Sequence, residues 1–344
     1  VSPLELLRQL PPLLDVRAPG EFKVGQLPNS INLPILDDEE RAQVGTVYKQ
    51  QGHDAAVSLG HRLVSGDTRE RRVQAWQSFC QDHPNAMVMC WRGGQRSGLA
   101  QQWLSESGID IPKVEGGFKA LRNACLSVLE KPNKKWWLVS GRTGSAKTVL
   151  LQQVEQSIDL EGLANHRGSA FGRRLTPQPT PVTFENQLAI DYLNHGYESL
   201  VVEDESRTIG RLGLPLTWHE QMTQAPIALV EASFAERVEH IHREYVEEAL
   251  AELDQAGLSP NLLQQQYEDA ALRIQRRLGG VRMEQLMQKI RHAFEQQSDH
   301  RDWIRYLLTE YYDPMYDFQL ARKVHRVAFR GSAAQVTAFL KNQP

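Results

Sequence analysis

Ala86-Met87-Val88-Met89-Cys90-Trp91-Arg92-Gly93-Gly94-Gln95-Arg96-Ser97 places an apolar run, a cysteine, two glycines and two arginines in one short stretch. The apolar run has the length of a buried strand, the glycines mark a loop, and Leu99-Ala100-Gln101-Gln102-Trp103-Leu104 resumes at helical spacing. Strand, loop and helix in that order are the building unit of a parallel sheet. A cysteine at the strand end lies where backbone N–H groups converge, and these stabilise a thiolate. Gly93 and Gly94 let the backbone curl until its amides face one point. Arg92 and Arg96 add positive charge for an anionic ligand. The segment therefore predicts Cys90 as a nucleophile, with Trp91, Arg92, Gly93, Gly94, Gln95, Arg96 and Ser97 forming an anion-binding loop beside it.

Outward from this loop the same grammar recurs. Leu13-Leu14-Asp15-Val16-Arg17 is a short strand stopped by Pro19-Gly20, and Ser30-Ile31-Asn32-Leu33-Pro34 is a second; a polar helical segment follows. Glu130-Lys131-Pro132-Asn133-Lys134-Lys135 is a polar, proline-bearing boundary. Trp136-Trp137-Leu138-Val139-Ser140 then leads into Gly141-Arg142-Thr143-Gly144-Ser145-Ala146-Lys147-Thr148 and the apolar helix that starts at Val149. Strand, glycine loop, Lys-Thr and helix are the context of a diphosphate-binding P-loop. Its amides would hold a phosphate, Lys147 would neutralise it and the Thr148 hydroxyl would reach a magnesium ion. Ala146 departs from the usual glycine, and alanine is strained at positive φ. Leu200-Val201-Val202-Glu203-Asp204-Glu205 is a strand whose carboxylates are candidate Walker B groups, Glu203 and Asp204 foremost, and Ile227–Val230 is a further strand. Beyond residue 235 the period turns helical: Val238, Ile241, Tyr245, Ala249 and Leu253 share one face, and Gly257 ends the run.

With 39 basic and 42 acidic residues the net charge is −3, which neither demands nor excludes a polyanionic partner. A hydrophobic share of 41% over 344 residues is enough for two globular cores. No stretch approaches the ~18–20 apolar residues of a bilayer span, and Val1-Ser2-Pro3-Leu4-Glu5 lacks the order of a signal peptide. Cys80, Cys90 and Cys125 are an odd set without metal-ligand spacing, which predicts free thiols, a reducing compartment and no zinc. Cys80 and Cys125 read as small buried hydrophobes. These features predict a cytoplasmic chain without a membrane segment.

The Cys90 loop resembles the rhodanese family. Asp15-Val16-Arg17, Glu21-Phe22 and Gly25-Gln26-Leu27-Pro28-Asn29-Ser30-Ile31-Asn32-Leu33-Pro34 are similar to that family's opening pattern, and Glu115-Gly116-Gly117-Phe118 to its closing one. The resemblance implies a persulfide, or its selenium equivalent, on Cys90. Cys90 and Arg96 stand in C-x5-R spacing, one residue longer than a simple sulfurtransferase loop, and the wider loop suits a phosphate-sized ligand such as selenophosphate. Leu160-Glu161-Gly162-Leu163-Ala164-Asn165-His166-Arg167-Gly168-Ser169 and Tyr311-Tyr312-Asp313-Pro314-Met315-Tyr316-Asp317 extend the likeness, so that the whole chain resembles the tRNA 2-selenouridine synthase family.

That resemblance implies an α/β fold. A rhodanese-like parallel-sheet domain spans 1–129, a P-loop NTPase-like α/β domain 130–235, and a helical C-terminal extension with tRNA contact 236–344. It implies conversion of wobble 2-thiouridine to 2-selenouridine through S-geranylation from geranyl diphosphate and selenation from selenophosphate, with Mg2+ at the P-loop. An apolar slot for the geranyl chain is expected near Lys147. The expected partners are a tRNA anticodon loop bearing 2-thiouridine and a selenophosphate-supplying enzyme. Arg167, Arg173, Arg174, Arg276 and Arg277 are candidate tRNA contacts, since arginines with nearby tyrosines suit unstacked bases and phosphates. His166 is a candidate acid or base. From the residues alone, other readings stay open: a rhodanese-type sulfurtransferase, a C-x5-R phosphatase with a regulatory P-loop domain, or a nucleotide-gated RNA-binding adaptor.

Overall fold

The computed structural model describes residues 1–343; Pro344, the last residue of the expected extension, lies outside the described residues. The chain divides into two compact units, one formed by residues 1–131 with 180–194 and the other by residues 132–179 with 195 onward.

In the first unit β1 (Leu13–Asp15) lies between β2 (Ser30–Asn32) and β3 (Met87–Met89), all parallel, with Leu14 opposite both Ile31 and Val88. All three residues of β1 are buried, as a central strand covered on both faces requires. Asp15 carries a charge into that interior, and Arg17 neutralises it at 2.7 Å while lying 3.8 Å from the centre of the Phe118 ring. Trp76 and Trp103, from helices Gly66–Asp82 and Gln95–Glu106, stack at 6.0 Å within the same core as Leu14, Val16 and Val88.

Helix Pro181–Asn194 corrects the sequence-based boundary, which assigned it to the P-loop domain. It lies with the first unit, where Arg122 meets Asn186 at 3.0 Å and Asn186 donates to the Gln26 carbonyl at 2.8 Å. Val182 presses so closely on Gly25 that a Cβ there would come within 2.3 Å of it. Nothing local marks this partner, because the pairing is made across more than 150 residues of chain.

The second unit is built on β4 (Lys135–Gly141), β5 (Ser199–Glu203), a hairpin of β6 (Thr208–Ile209) and β7 (Leu212–Gly213), β8 (Ile227–Val230) and β9 (Val327–Gly331). The main sheet has the order β5-β4-β8-β9 and is wholly parallel. β9 interrupts the stretch expected to be helical throughout. Its alternating half-buried and exposed residues fit a sheet edge, where Phe329 stacks on Phe339 at 4.3 Å. Helices Phe234–His242, Glu248–Gln255, Asn261–Leu278, Gly280–Glu295, Arg301–Leu307 and Asp313–Lys323 form the rest around a second core that includes Tyr267, Ile290 and Trp303. Two π turns, Arg243–Glu247 and Leu308–Tyr312, interrupt this helical part. Among the described residues no helix is long and apolar enough to cross a membrane.

Candidate functional site

Cys90 follows directly on β3 and is 3% exposed, its Sγ 3.3 Å from the Ser97 hydroxyl. Burial works to raise the thiol, but the Ser97 hydroxyl and N–H, the Arg96 charge and the Arg92 N–H outweigh it and hold Cys90 below the usual cysteine range. Burial instead pushes Cys80 up, and Cys125 up to about 12, so neither competes as a thiolate. The loop is clamped by the segment Glu115–Phe118. Phe118 N–H donates to the Cys90 carbonyl and Lys119 N–H to that of Trp91, each at 2.9 Å. Gly93 and Gly117 meet here at φ 64° and 59°, and a Cβ on Gly117 would lie 2.3 Å from the Cys90 carbonyl oxygen. Trp91 stacks on Phe118 at 5.5 Å.

Arg96 is not a free anion ligand. It grips Glu21, with Nη2 3.1 Å from Oε1, and Glu21 is also held by Arg41 at 3.0 Å. These arginines keep the Glu21 carboxyl below its usual range although burial opposes them. A cleft of about 900 Å³ opens over Cys90, and its far wall is helix Asp38–Gln51. Arg41, Gly45, Tyr48 and Lys49 line that wall together with Arg92, Gly94, Gln95 and Arg96 from the loop. Sequence reasoning saw here only a polar helical segment, without bounds. The usable signal was the spacing of Arg41, Gly45 and Lys49, which at i, i+4 and i+8 share one face.

In the second unit β4 delivers Gly141–Thr148 into a cavity of about 360 Å³. Gly144, at φ 85°, passes so close to helix Phe234–His242 that a Cβ would come within 2.7 Å of the Arg237 carbonyl. Ala146 adopts φ 58° and ψ 36°, the left-handed conformation for which glycine is the usual choice. Lys147 Nζ donates to the Gly141 carbonyl at 3.1 Å, and Thr148 Oγ1 to Glu161 at 3.3 Å. Ser145 Oγ is buried without a partner. The helix after the loop, Lys147–Leu151, is shorter than the apolar run through Val154 suggests.

The two candidate Walker B groups separate. Glu203 is fully buried, accepts the Leu160 N–H at 3.1 Å and lies outside the cavity lining. Burial, followed by repulsion from Asp159 and Glu161, raises its carboxyl well above the usual range. Asp204 does line the cavity, accepting from the Ser140 hydroxyl at 2.6 Å and from Lys323. Glu205, at the end of the same carboxylate run, lines it as well, and so does Glu161, which sequence reasoning did not single out as a site group. Burial and then the Glu205 charge push Glu161 far up, and Glu205 is itself raised by burial against the pull of Lys147. Among the described residues no three His, Cys, Asp or Glu side chains form a metal cage. A small apolar hollow that includes Thr143, Ile241, Tyr245, Trp303 and Leu308 encloses about 20 Å³, and Ile241, Tyr245 and Met315 also line the larger cavity beside Lys147.

Beside this cavity, and sharing Gly168, Ser169, Ala170, Arg277 and Tyr311 with it, is a basin of about 980 Å³. Arg173, Arg174, Arg211, Arg273, Arg276 and Arg277 all line it. Arg167, grouped with them from the sequence, is instead 5% exposed, bound to Glu244 at 2.9 Å, and lines the phosphate-loop cavity rather than the basin. His166 also lines the basin; burial and the charges of Arg273, Arg167 and Arg174 hold it below the usual imidazole range.

The comparisons agree with this division of chemistry. Residues 2–124 match the rhodanese-like domain, and residues 134–344 match the tRNA 2-selenouridine synthase AAA domain. The chain is 46% identical to the tRNA 2-selenouridine synthase of Sulfurovum sp. (strain NBC37-1), over 96% of this chain and 94% of that one. Identity to the same enzyme of Shewanella denitrificans is 45%, over 97% and 95% of the two chains. For that of Hahella chejuensis it is 45%, over 94% and 89%. Relatives this similar over nearly their full length set aside the phosphatase and adaptor readings. A rhodanese-like domain followed by a tRNA 2-selenouridine synthase AAA domain, together with these full-length relatives, define one enzyme family, and the chain belongs to the tRNA 2-selenouridine synthases.

Proposed function

We propose that the chain converts wobble 2-thiouridine of tRNA to 2-selenouridine in two half-reactions, one at each loop. In the first, the thiocarbonyl sulfur attacks the allylic carbon of geranyl diphosphate and diphosphate leaves. Lys147 and the Gly141–Thr148 amides would hold that diphosphate and stabilise its growing charge. Thr148, Asp204 and Glu161 line the same cavity and would hold a Mg2+ ion accompanying the diphosphate, which would neutralise phosphate charge there. In the second, the selenium of selenophosphate attacks C2 and displaces the sulfur as geranylthiol, and water then cleaves the Se–P bond, which releases phosphate and leaves selenium on C2. S-alkylation makes that sulfur a competent leaving group.

The selenation half belongs to the Cys90 cleft. The observation that carries this is a thiol held below its usual range at the floor of a cleft whose walls bring Lys49 and Arg92, together with Arg41 and Arg96, which share the single carboxylate of Glu21. A dianionic selenium donor needs such charge. The basin arginines Arg173, Arg174, Arg276 and Arg277 suit the anticodon-loop phosphates. Free thiols and a tRNA substrate suit the cytoplasm.

The test is mass spectrometry of nucleosides from 2-thiolated tRNA incubated with enzyme, geranyl diphosphate and selenophosphate. Wild type should yield 2-selenouridine. Cys90→Ala should stop at the S-geranyl nucleoside, and Lys147→Ala should fail to geranylate yet still selenate tRNA already geranylated. Loss of both halves in either variant would refute the assignment of one half-reaction to each loop.

A further inference from the structure

A second hollow in the first unit adjoins the thiol cleft. It measures about 130 Å³, and its walls are nearly all apolar: Val44, Val57, Val64, Leu99 and Trp103, with Gly60 between them. Leu36, Val44, Tyr48, Gln95 and Arg96 line both the hollow and the cleft, so the two are continuous along the Cys90 loop. An engineered cavity of about 150 Å³ with similar walls binds benzene, which sets the scale of occupant.

One glycine borders this hollow, Gly60, and a second, Gly45, borders the adjoining cleft. Gly60 lies inside helix His53–Leu63 and Gly45 inside helix Asp38–Gln51, where glycine is a poor helix former. Neither has a positive φ. A Cβ on Gly45 would meet nothing within 4 Å, and one on Gly60 would meet only Val44 Cγ2 at 4.0 Å. Glycine is therefore required at neither position by backbone conformation or by steric conflict. Its effect is to leave volume unfilled beside the reactive thiol.

The geometry points to a hydrocarbon subsite in the rhodanese-like unit that receives the S-alkyl chain of the alkylated base during selenation. The occupant has a hydrocarbon tail and an anionic nucleotide head. The tail enters between Gly60, Val57 and Trp103, and the head lies over Cys90 against Arg41, Lys49 and Arg92. About half of a ten-carbon chain fills a hollow of this size, and the rest passes Gln95 and Arg96 into the cleft. This rests on the two-step reading above and adds the place where the leaving group is held.

The test uses the full chain and follows carboxamidomethylation of Cys90 by iodoacetamide, read by peptide mass spectrometry, with S-geranyl-2-thiouridine or S-methyl-2-thiouridine monophosphate present. In wild type the geranyl compound should slow the reaction about tenfold or more at concentrations where the methyl compound does not, because several buried methylenes separate them. Gly60→Leu and Val57→Phe, which fill the hollow from two helical positions, should abolish that difference. Equal protection by both compounds in wild type overturns the subsite, and so does undiminished geranyl protection in both variants. Selenation of pre-geranylated tRNA is measured in parallel. Chain-length-dependent protection without turnover would refute the two-step reading and leave the subsite; turnover with chain-independent protection would refute the subsite alone.

Discussion

Ala146 shows how one residue can carry strain in a working loop. Its left-handed backbone costs an L-residue about 1–2 kcal/mol, whereas glycine adopts it freely but loses more entropy on folding, about 0.5–1 kcal/mol. Ala146→Gly should therefore stabilise the protein by about 0.5–1 kcal/mol in urea unfolding; a destabilised variant would mean the strain is not there. Cys90 shows the opposite economy, in which a buried group is held in its charged form by neighbours. Ser97 supplies the largest of the stabilising contacts, so Ser97→Ala should shift the pH profile of Cys90 alkylation upward. The sign follows from what the hydroxyl does: a thiolate can only accept from it, so its loss removes the largest contact that opposes burial. Cys125, pushed up to about 12 by burial, should remain unmodified until the protein unfolds. The cysteine loop and the P-loop were both legible at this scale, because their chemistry is written in consecutive residues. The separate fates of Glu203 and Asp204 were not, since β5 ends between them and only the packing says that the last strand residue turns inward while the next one meets the loop.

Among the elements, the segment Glu115–Phe118 and the π turns decide the shape of the sites. Gly117→Ala would set a Cβ against the Cys90 carbonyl at 2.3 Å and the Gly93 nitrogen at 2.4 Å, in a backbone that alanine resists. That variant should lose selenation by more than about tenfold while geranylation persists, because the collision displaces only the thiol loop. In the second unit the π turns bring Glu244 and Tyr245, and Tyr311 and Tyr312, to the phosphate-loop cavity. Such turns recur at functional sites because the extra residue re-aims a side chain at a local cost. Arg237 links the helical part to the loop, donating to the Thr143 carbonyl at 3.2 Å and to both Asp313 oxygens at 2.7 Å. Arg237→Met should destabilise by about 3 kcal/mol in urea unfolding, with much of it restored by Asp313→Leu, because a carboxylate left alone in the interior costs more than a removed pair. The helical periodicity from Val238 to Leu253 was readable in advance. The π turns were not, because the apolar face continues almost unbroken through them.

For the whole molecule, a net charge of −3 coexists with a basin lined by six arginines. Binding of tRNA should then be strongly salt-dependent, and Arg276→Ala or Arg277→Ala should each lower the slope of log affinity against log salt by about 0.7–0.9. An unchanged slope would place the phosphates elsewhere. The sequence by itself determined the α/β class, the two chemical loops, their order and the family they belong to, because each rests on contiguous residues whose spacing dictates strand, loop and helix. Only the tertiary structure decided that helix Pro181–Asn194 joins the first unit, that β9 completes the second sheet, that Arg167 faces inward and that Gly45 and Gly60 border open space. Those outcomes depend on which distant surfaces bury one another, and burial is a property of the packed chain that no local pattern of residues encodes.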